Sequence, residues 1–314
     1  MDLLNHAYER TLAAGQLTVG LMTPLGRKPG EMADIESELR LAARADALQF
    51  AALWARDVPL MIPQGSTMEA AALDDPFVWL SFLAGVTRSI ALGTAAAVLP
   101  LRHPIHLAKS ALSLDRLSQG RFILGLGSGD REAEFAAFGL DPEQRAEAFR
   151  TRWAIVRAAL SPSQADRAAL LSATDGYDLA VPPAARVPMM AVGSARQTLQ
   201  WIAAHADAWA TYHREEVRQQ GRIGLWQSAL RERSPGMPKP FVQSIHLDLV
   251  DDPSTEAVPI ELGLRTGRWA LIDYLKRLEA NGVAHAMLHL APGPRPLLGV
   301  VEELGMAVLP ALRQ

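Results

Sequence analysis

The stretch LDRLSQGRFILGLGSGDR, residues 114–131, runs from a polar, helix-like end through Gly120 into the apolar run Phe122-Ile123-Leu124. It then passes into Gly125, Gly127 and Gly129. An apolar run that ends in glycines reads as a buried strand followed by bare backbone. A dinucleotide-binding loop would be spelled G-x-G-x-x-G and would open a helix. Here the third glycine comes one residue early and Asp130 stands in its place. A carboxylate there would face a pyrophosphate with the wrong sign. The glycines therefore point to a strand end of another kind, and the rest of the chain has to supply it.

Working outward, short apolar runs alternate with longer segments of helical period. The strand-like runs are Leu17–Met22, Gln49–Ala55, Ala91–Leu99, Arg121–Leu126, Pro188–Val192, Ala206–Thr211, Pro240–Leu249 and Ala284–Leu290. Several are apolar almost throughout, as in strands buried on both faces of a parallel sheet. Between them, Ile105, Ala108 and Leu112 share one helical face, as do Leu199, Ile202, Ala203 and Ala206. Leu297, Val301, Leu304, Val308 and Leu312 keep the same spacing to the C-terminus. Eight strand–helix pairs in 314 residues predict an α/β fold, a (β/α)8 TIM barrel forming a single domain over residues 1–314. A doubly wound open sheet is the alternative, because alternation alone does not separate a closed sheet from an open one. Two segments break the rhythm, Met61–Asp75 and Asp251–Arg268. In a barrel both are loop insertions at the C-terminal face, either lids or plain surface loops.

The composition narrows the function classes. Apolar residues make up 49% and charged residues 21%, a globular balance, and the net charge of -3 offers nothing to nucleic acid or an anionic membrane. The chain has no cysteine, which excludes disulfides, thiolate metal sites and cysteine nucleophiles. No apolar run is long enough to span a bilayer, and the N-terminus lacks a signal-peptide pattern, so a cytoplasmic location is expected. His285 and His289 share a strand face but have no carboxylate at useful spacing, and no H-E-x-x-H or P-loop occurs, so no metal site is expected.

In a barrel, chemistry gathers at the C-terminal strand ends. The second strand ends Trp54-Ala55-Arg56-Asp57, and the third runs through Ala95-Ala96 to Arg102-His103. The fourth ends Gly127-Ser128-Gly129-Asp130-Arg131, the fifth Gly193-Ser194, and the sixth Tyr212-His213-Arg214. Each charged residue alone suits a surface salt bridge; their meeting at one rim favours a site. Gly193-Ser194, read as leading straight into a helix, suits a phosphate as well as it suits a plain helix cap.

The run LGTAAAVLPLRHPIHLAKSALSLDRLSQGRFILGLGSGDR, residues 92–131, resembles the core of the bacterial luciferase-like flavin monooxygenases. DPFVWLSFLAGVTRSIALG before it, PMMAVGSARQTLQWIAAHADAWATYHR after it and GVAHAMLHL near the end extend the likeness over most of the chain. The patterns L-x-R-H-P, L-D-x-L-S-x-G-R and H-A-D-x-W are specific as a set. RDVP at 56–59 and SGDR at 128–131 look like a luciferase-type oxidoreductase subgroup. The resemblance implies a TIM barrel that binds reduced FMN, or a deazaflavin in some branches, at the C-terminal rim. It implies a small-molecule substrate, O2 as co-substrate, a separate flavin reductase and a homodimer. Ala95 and Ala96 match the place where the family packs a non-proline cis peptide under the flavin ring. Gly193 and Ser194 match its phosphate junction. Gly127, Ser128 and Gly129 would approach the cofactor, with Arg131 or Arg214 on its phosphate. Trp54, Arg56 and Asp57 would line the substrate pocket. Two departures stand out: Val58 replaces the luciferase catalytic histidine, and Ser128 replaces an arginine that holds the flavin phosphate. Light emission is therefore not expected, and the acid/base is left among His103, His213, Asp57 and Asp130 by location alone. A deazaflavin-dependent dehydrogenase, or a barrel that binds flavin without turnover, are the alternatives.

Overall fold

The apolar run of the opening stretch is a strand with parallel neighbours on both sides, and following those neighbours leads round a closed ring. The computed structural model describes residues 3–13, 15–26, 30–63, 71–179, 182–290 and 293–313. Its strands are β1 (Thr18–Thr23), β2 (Ala52–Ala55), β3 (Ala91–Thr94), β4 (Ala97–Val98), β5 (Phe122–Gly127) and β6 (Met189–Val192). After them come β7 (Ala208–Tyr212), β8 (Phe241–Leu249), β9 (Val258–Ile260), β10 (Gly263–Thr266) and β11 (Val283–Leu290). Strands β1, β2, β3, β5, β6, β7, β8 and β11 pair in that order, all parallel, and β11 returns to β1. The sheet is closed, so the fold is the TIM barrel and the open-sheet alternative falls. Short β4 resumes the path of β3 and also pairs with β5.

The helices between the strands are α1 (His6–Thr11), α2 (Ile35–Ala47), α3 (Pro76–Val86), α4 (Pro104–Leu117), α5 (Glu132–Ala137) and α6 (Arg145–Ala159). They continue with α7 (Ala168–Ala173), α8 (Leu199–His205), α9 (Glu216–Arg233), α10 (Arg268–Ala280), α11 (Leu297–Glu303) and α12 (Leu309–Leu312). None among the described residues is long and apolar enough to cross a membrane. The insertion at Asp251–Arg268 is no plain loop. It folds into an antiparallel hairpin, β9–β10, and β10 pairs in parallel with His246–Leu249 of β8. The middle of the Met61–Asp75 insertion, residues 64–70, lies outside the described residues.

Alternate residues of each strand sort into two apolar clusters, as a period of two requires. One lies between sheet and helices and includes Leu53, Leu92, Leu124 and Leu288. The other fills the barrel, with Ala52 and Trp54 of β2, Ile123 of β5, Met190 of β6, Ala208 and Ala210 of β7, and Met287 of β11. Ala7 of α1 and Leu12 just after it join this inner cluster and close the N-terminal end of the barrel. The closure is tied to the opening stretch, since the Asn5 amide donates to Asp115 and to the Phe122 carbonyl, each at 2.7 Å. Arg121 donates to the carbonyls of Ser118 and Ile90, both at 2.8 Å, and to the Thr87 hydroxyl at 3.0 Å. The L-D-x-L-S-x-G-R pattern thus builds the sealed end of the barrel, opposite the C-terminal ends of the strands.

Candidate active site

At the open end the inward side chains are polar. Continuing the inward alternation past Trp54 brings Arg56 to the mouth. On β7 it passes from Ala208 and Ala210 to Tyr212, and on β8 from Val242 to Ser244 and His246. On β11 it runs His285, Met287, His289. Strand register sets these in layers: Tyr212 pairs with Ser244, Ser244 with Met287, and His246 with His289 one layer higher. The His246 and His289 rings meet edge-to-face at 4.4 Å.

Trp54 lies below this layer. It is fully buried, and its indole N–H donates to His285 Nε2 at 2.9 Å. His285 Nε2 is then an acceptor, so Nδ1 carries the proton and gives it to Thr18 Oγ1 at 2.6 Å; Thr18 donates onward to the Thr11 carbonyl. Burial pushes His285 down to about 3, so it is neutral. Trp54 is part of the barrel floor, not a wall of an open pocket.

The glycines of the opening stretch receive the neighbouring strand. The Ala95–Ala96 peptide between β3 and β4 is cis. A Cβ on Gly125 would fall inside the shell of the Thr94 carbonyl oxygen, and one on Gly127 would come 3.3 Å from the Ala96 Cβ. One on Gly129 would lie 2.8 Å from Val98 Cγ1. Thr94 Oγ1 closes this seam by donating to the Gly125 carbonyl at 2.7 Å and accepting its N–H at 3.0 Å. The result is a patch of small residues in which Ala95, Ala96 and Gly127 are partly exposed, while Ser128 is buried.

One strand further round the barrel, β6 leads into Gly193 with φ +68, and nothing lies within 4 Å of where its Cβ would be. The expectation that a helix starts there is corrected. Gly193–Arg196 form a turn with Ala195 and Arg196 also left-handed, and α8 begins only at Leu199, capped by Thr198. Ser194 is exposed, and its hydroxyl accepts the Arg196 N–H at 3.3 Å. The Gly193 N–H goes to the Ala210 carbonyl at 2.8 Å; a turn of mixed hand can present its remaining backbone N–H groups to an anion. The Gly193 carbonyl takes the Trp209 indole N–H at 2.7 Å, and Arg222 of α9 lies over that indole at 6.0 Å. Burial and the charge of Arg214 lower Arg222, and neither arginine has a carboxylate partner among the described residues.

The proposed acid/base residues scatter. The Asp57 carboxylate accepts from Arg102 at 2.7 and 2.8 Å and from the Val98 N–H at 3.0 Å, which clamps the β4 segment. His213 follows Tyr212 on the opposite face. Its Nδ1 meets Tyr274 Oη at 3.0 Å and the Gln243 amide at 3.2 Å, in the layer between sheet and helices, and burial lowers its pKa. His103 is exposed at the start of α4, with His106 as its ring neighbour. Asp130 stays at the rim, exposed, 3.9 Å from Arg131. Arg131 also lies 3.6 Å from Glu134, a fully buried carboxyl that burial raises against the pull of that arginine.

Two residues escaped the sequence reading as site candidates: His289 and Arg222. For His289 the signal was available, because strand parity places it with Met287. Arg222 carried none, since its place on Trp209 depends on how α9 packs.

The comparisons agree with this architecture. The luciferase-like monooxygenase family model matches residues 16–258. This chain belongs to that family. An uncharacterised Mycobacterium tuberculosis protein is 31% identical over 222 residues, 66% of this chain and 76% of that one. Among solved structures, the EDTA monooxygenase of Chelativorans sp. BNC1 superposes with a TM-score of 0.74 at 13% identity, covering 95% of this chain and 94% of that one. An F420-dependent secondary alcohol dehydrogenase superposes with a TM-score of 0.72 at 16% identity, covering 95% and 100%. At such identities the superpositions speak for the fold alone.

Proposed function

We propose that this luciferase-like protein is a monooxygenase that uses reduced FMN and O2 on a small organic substrate. One observation carries the reading: the small-residue Ala95–Ala96 patch and the open Gly193–Arg196 turn lie at the same end of the barrel, and Arg222, without a carboxylate partner among the described residues, lies over the Trp209 indole that donates to Gly193. A planar ring with an anionic tail fits that pair of features. Ala95 and Ala96 would back the ring, with Gly127, Ser128 and Gly129 along its edge. Gly193, whose own N–H goes to the Ala210 carbonyl at 2.8 Å, would let the phosphate approach the backbone, and Ser194 would take it through its N–H and hydroxyl, with Arg214 and Arg222 adding charge; Arg131 stays with Glu134. Bound reduced FMN supplies the electrons that activate O2. The chain's own work is to orient the ring, to keep water off it and to hold a proton. The imidazole nitrogens of His246 and His289 are the inward-facing groups for that last task.

The same residues would hold a deazaflavin, and the chemistry would then be hydride transfer without oxygen. Anaerobic titration with FMN, reduced FMN and a deazaflavin, followed by absorbance and fluorescence, separates the two. Tight binding of reduced FMN followed by oxygen uptake supports the monooxygenase. Preference for the deazaflavin moves the reading to a dehydrogenase, and binding of neither removes it. A homodimer belongs to the same reading. Helix α3 is apolar nearly all round, yet Val78, Phe82 and Val86 lie exposed in one row four residues apart. A second copy would cover that row. Sedimentation of Phe82→Glu as a monomer beside a dimeric wild type is the expected result.

A further inference from the structure

Arg56 enters the mouth from β2, two residues beyond Trp54 on the same face. It also lines a cleft beside the mouth whose walls include Pro24, Ala33, Leu73 and Trp79, with Thr23 and Asp74 as polar neighbours. Several other arginines withdrawn from water have their acceptors. Arg102 holds Asp57 and Asp75, Arg295 holds Asp251 and Glu303, and Arg121 is wrapped by backbone carbonyls. Arg56 has neither a carboxylate nor a carbonyl acceptor among the described residues. The groups that act on its charge are Arg131, which repels it, and the Tyr212 phenol, while the Asp74 carboxylate lines the same cleft; burial first, then Arg131, lower its pKa. Burial of the hydroxyl end and Asp130 raise Tyr212, so its proton stays on and is available to donate. A guanidinium partly out of water, facing another and lacking an acceptor, is unfavourable until an oxyanion arrives. Planar carboxylate or sulfonate groups meet its fork bidentately.

We propose that Arg56, assisted by the Tyr212 hydroxyl, is an anion-recognition site that selects a substrate made of an apolar body and an oxyanion group. The inference rests on the mouth being the active site. It is separate from the cofactor phosphate, which is assigned to the Gly193 turn on the β6 side.

Sulfate is the probe, titrated calorimetrically at constant ionic strength into the FMN-loaded protein, so that the phosphate turn is already filled. Wild type is expected to bind one sulfate saturably. Arg56→Gln is expected to weaken that binding at least tenfold and to leave FMN affinity within twofold. Arg56→Lys, which keeps the charge but loses the fork, should fall between them; it carries the test if the glutamine variant does not fold. No saturable sulfate on wild type, or equal binding by Arg56→Gln, overturns the proposal. If FMN itself fails to bind, the cofactor reading has failed instead. The same titration on the free protein then still compares wild type with Arg56→Gln.

Discussion

Gly125 and Gly193 are both glycines at the ends of barrel strands, and they are there for opposite reasons. At Gly125 the missing Cβ is space already taken, because the Thr94 carbonyl of the next strand occupies it. At Gly193 the missing Cβ leaves space empty, and glycine is there for a φ of +68. The first is a dry seam inside the wall of the barrel; the second is an open turn on its rim. A glycine-rich string therefore says little about phosphate until its surroundings are known. The string that looked most like a nucleotide loop is the seam, and the quieter Gly193-Ser194 is the concavity.

The comparison breaks most readily at the seam. Gly125→Ala should cost about 3 kcal/mol or more, since the new methyl meets backbone that cannot yield. Chemical denaturation checks it, and a variant of wild-type stability would show that the seam can open. The dry interior makes a second demand. His285 sits near 3 in the fold, against about 6.5 for a free imidazole. The unfolded chain therefore takes the proton first. Stability from this group is intact above the upper value and falls with pH between the two, by about 1.4 kcal/mol per pH unit. Melting curves from pH 4 to 7 on wild type and His285→Gln should differ by that one-proton slope; parallel curves would mean that the interior admits water. Gly193→Ala should cost only about 1–2 kcal/mol, the strain of a left-handed residue with no clash. Ser194→Asp should change stability least, within about 0.5 kcal/mol, as an exposed substitution. Yet it should abolish FMN binding by setting like charge against the phosphate. Unchanged FMN affinity in that variant removes the phosphate assignment.

Much of the fold was legible because burial writes a period into sequence. Each of the eight runs from Leu17–Met22 to Ala284–Leu290 overlaps a barrel strand, since a strand walled by helices outside and side chains inside must be apolar along its length. The hairpin in Asp251–Arg268 was not legible. Its short strands, with Val258 exposed, take their order from pairing with the end of β8 and not from a pattern of their own. The site was half legible. Position at a strand end follows from chain order, so the places of Arg56, Arg131 and Gly193 at the rim were legible. Direction needs register: Asp57 and His213 sit one residue past Arg56 and Tyr212, on the wrong face, and each is claimed by partners distant in sequence.

By itself, then, the sequence determined the alternation of strands and helices, the apolar interior and the family. These depend on local period and on residues close together in the chain. Only the tertiary structure decided that the sheet closes, that the 125–129 glycines hold a seam, and that His246 and His289 face each other. It also decided that Arg56 is left without a carboxylate or carbonyl acceptor among the described residues. Those outcomes depend on which strand lies beside which, and on which distant group reaches a charge first, and no local pattern records either.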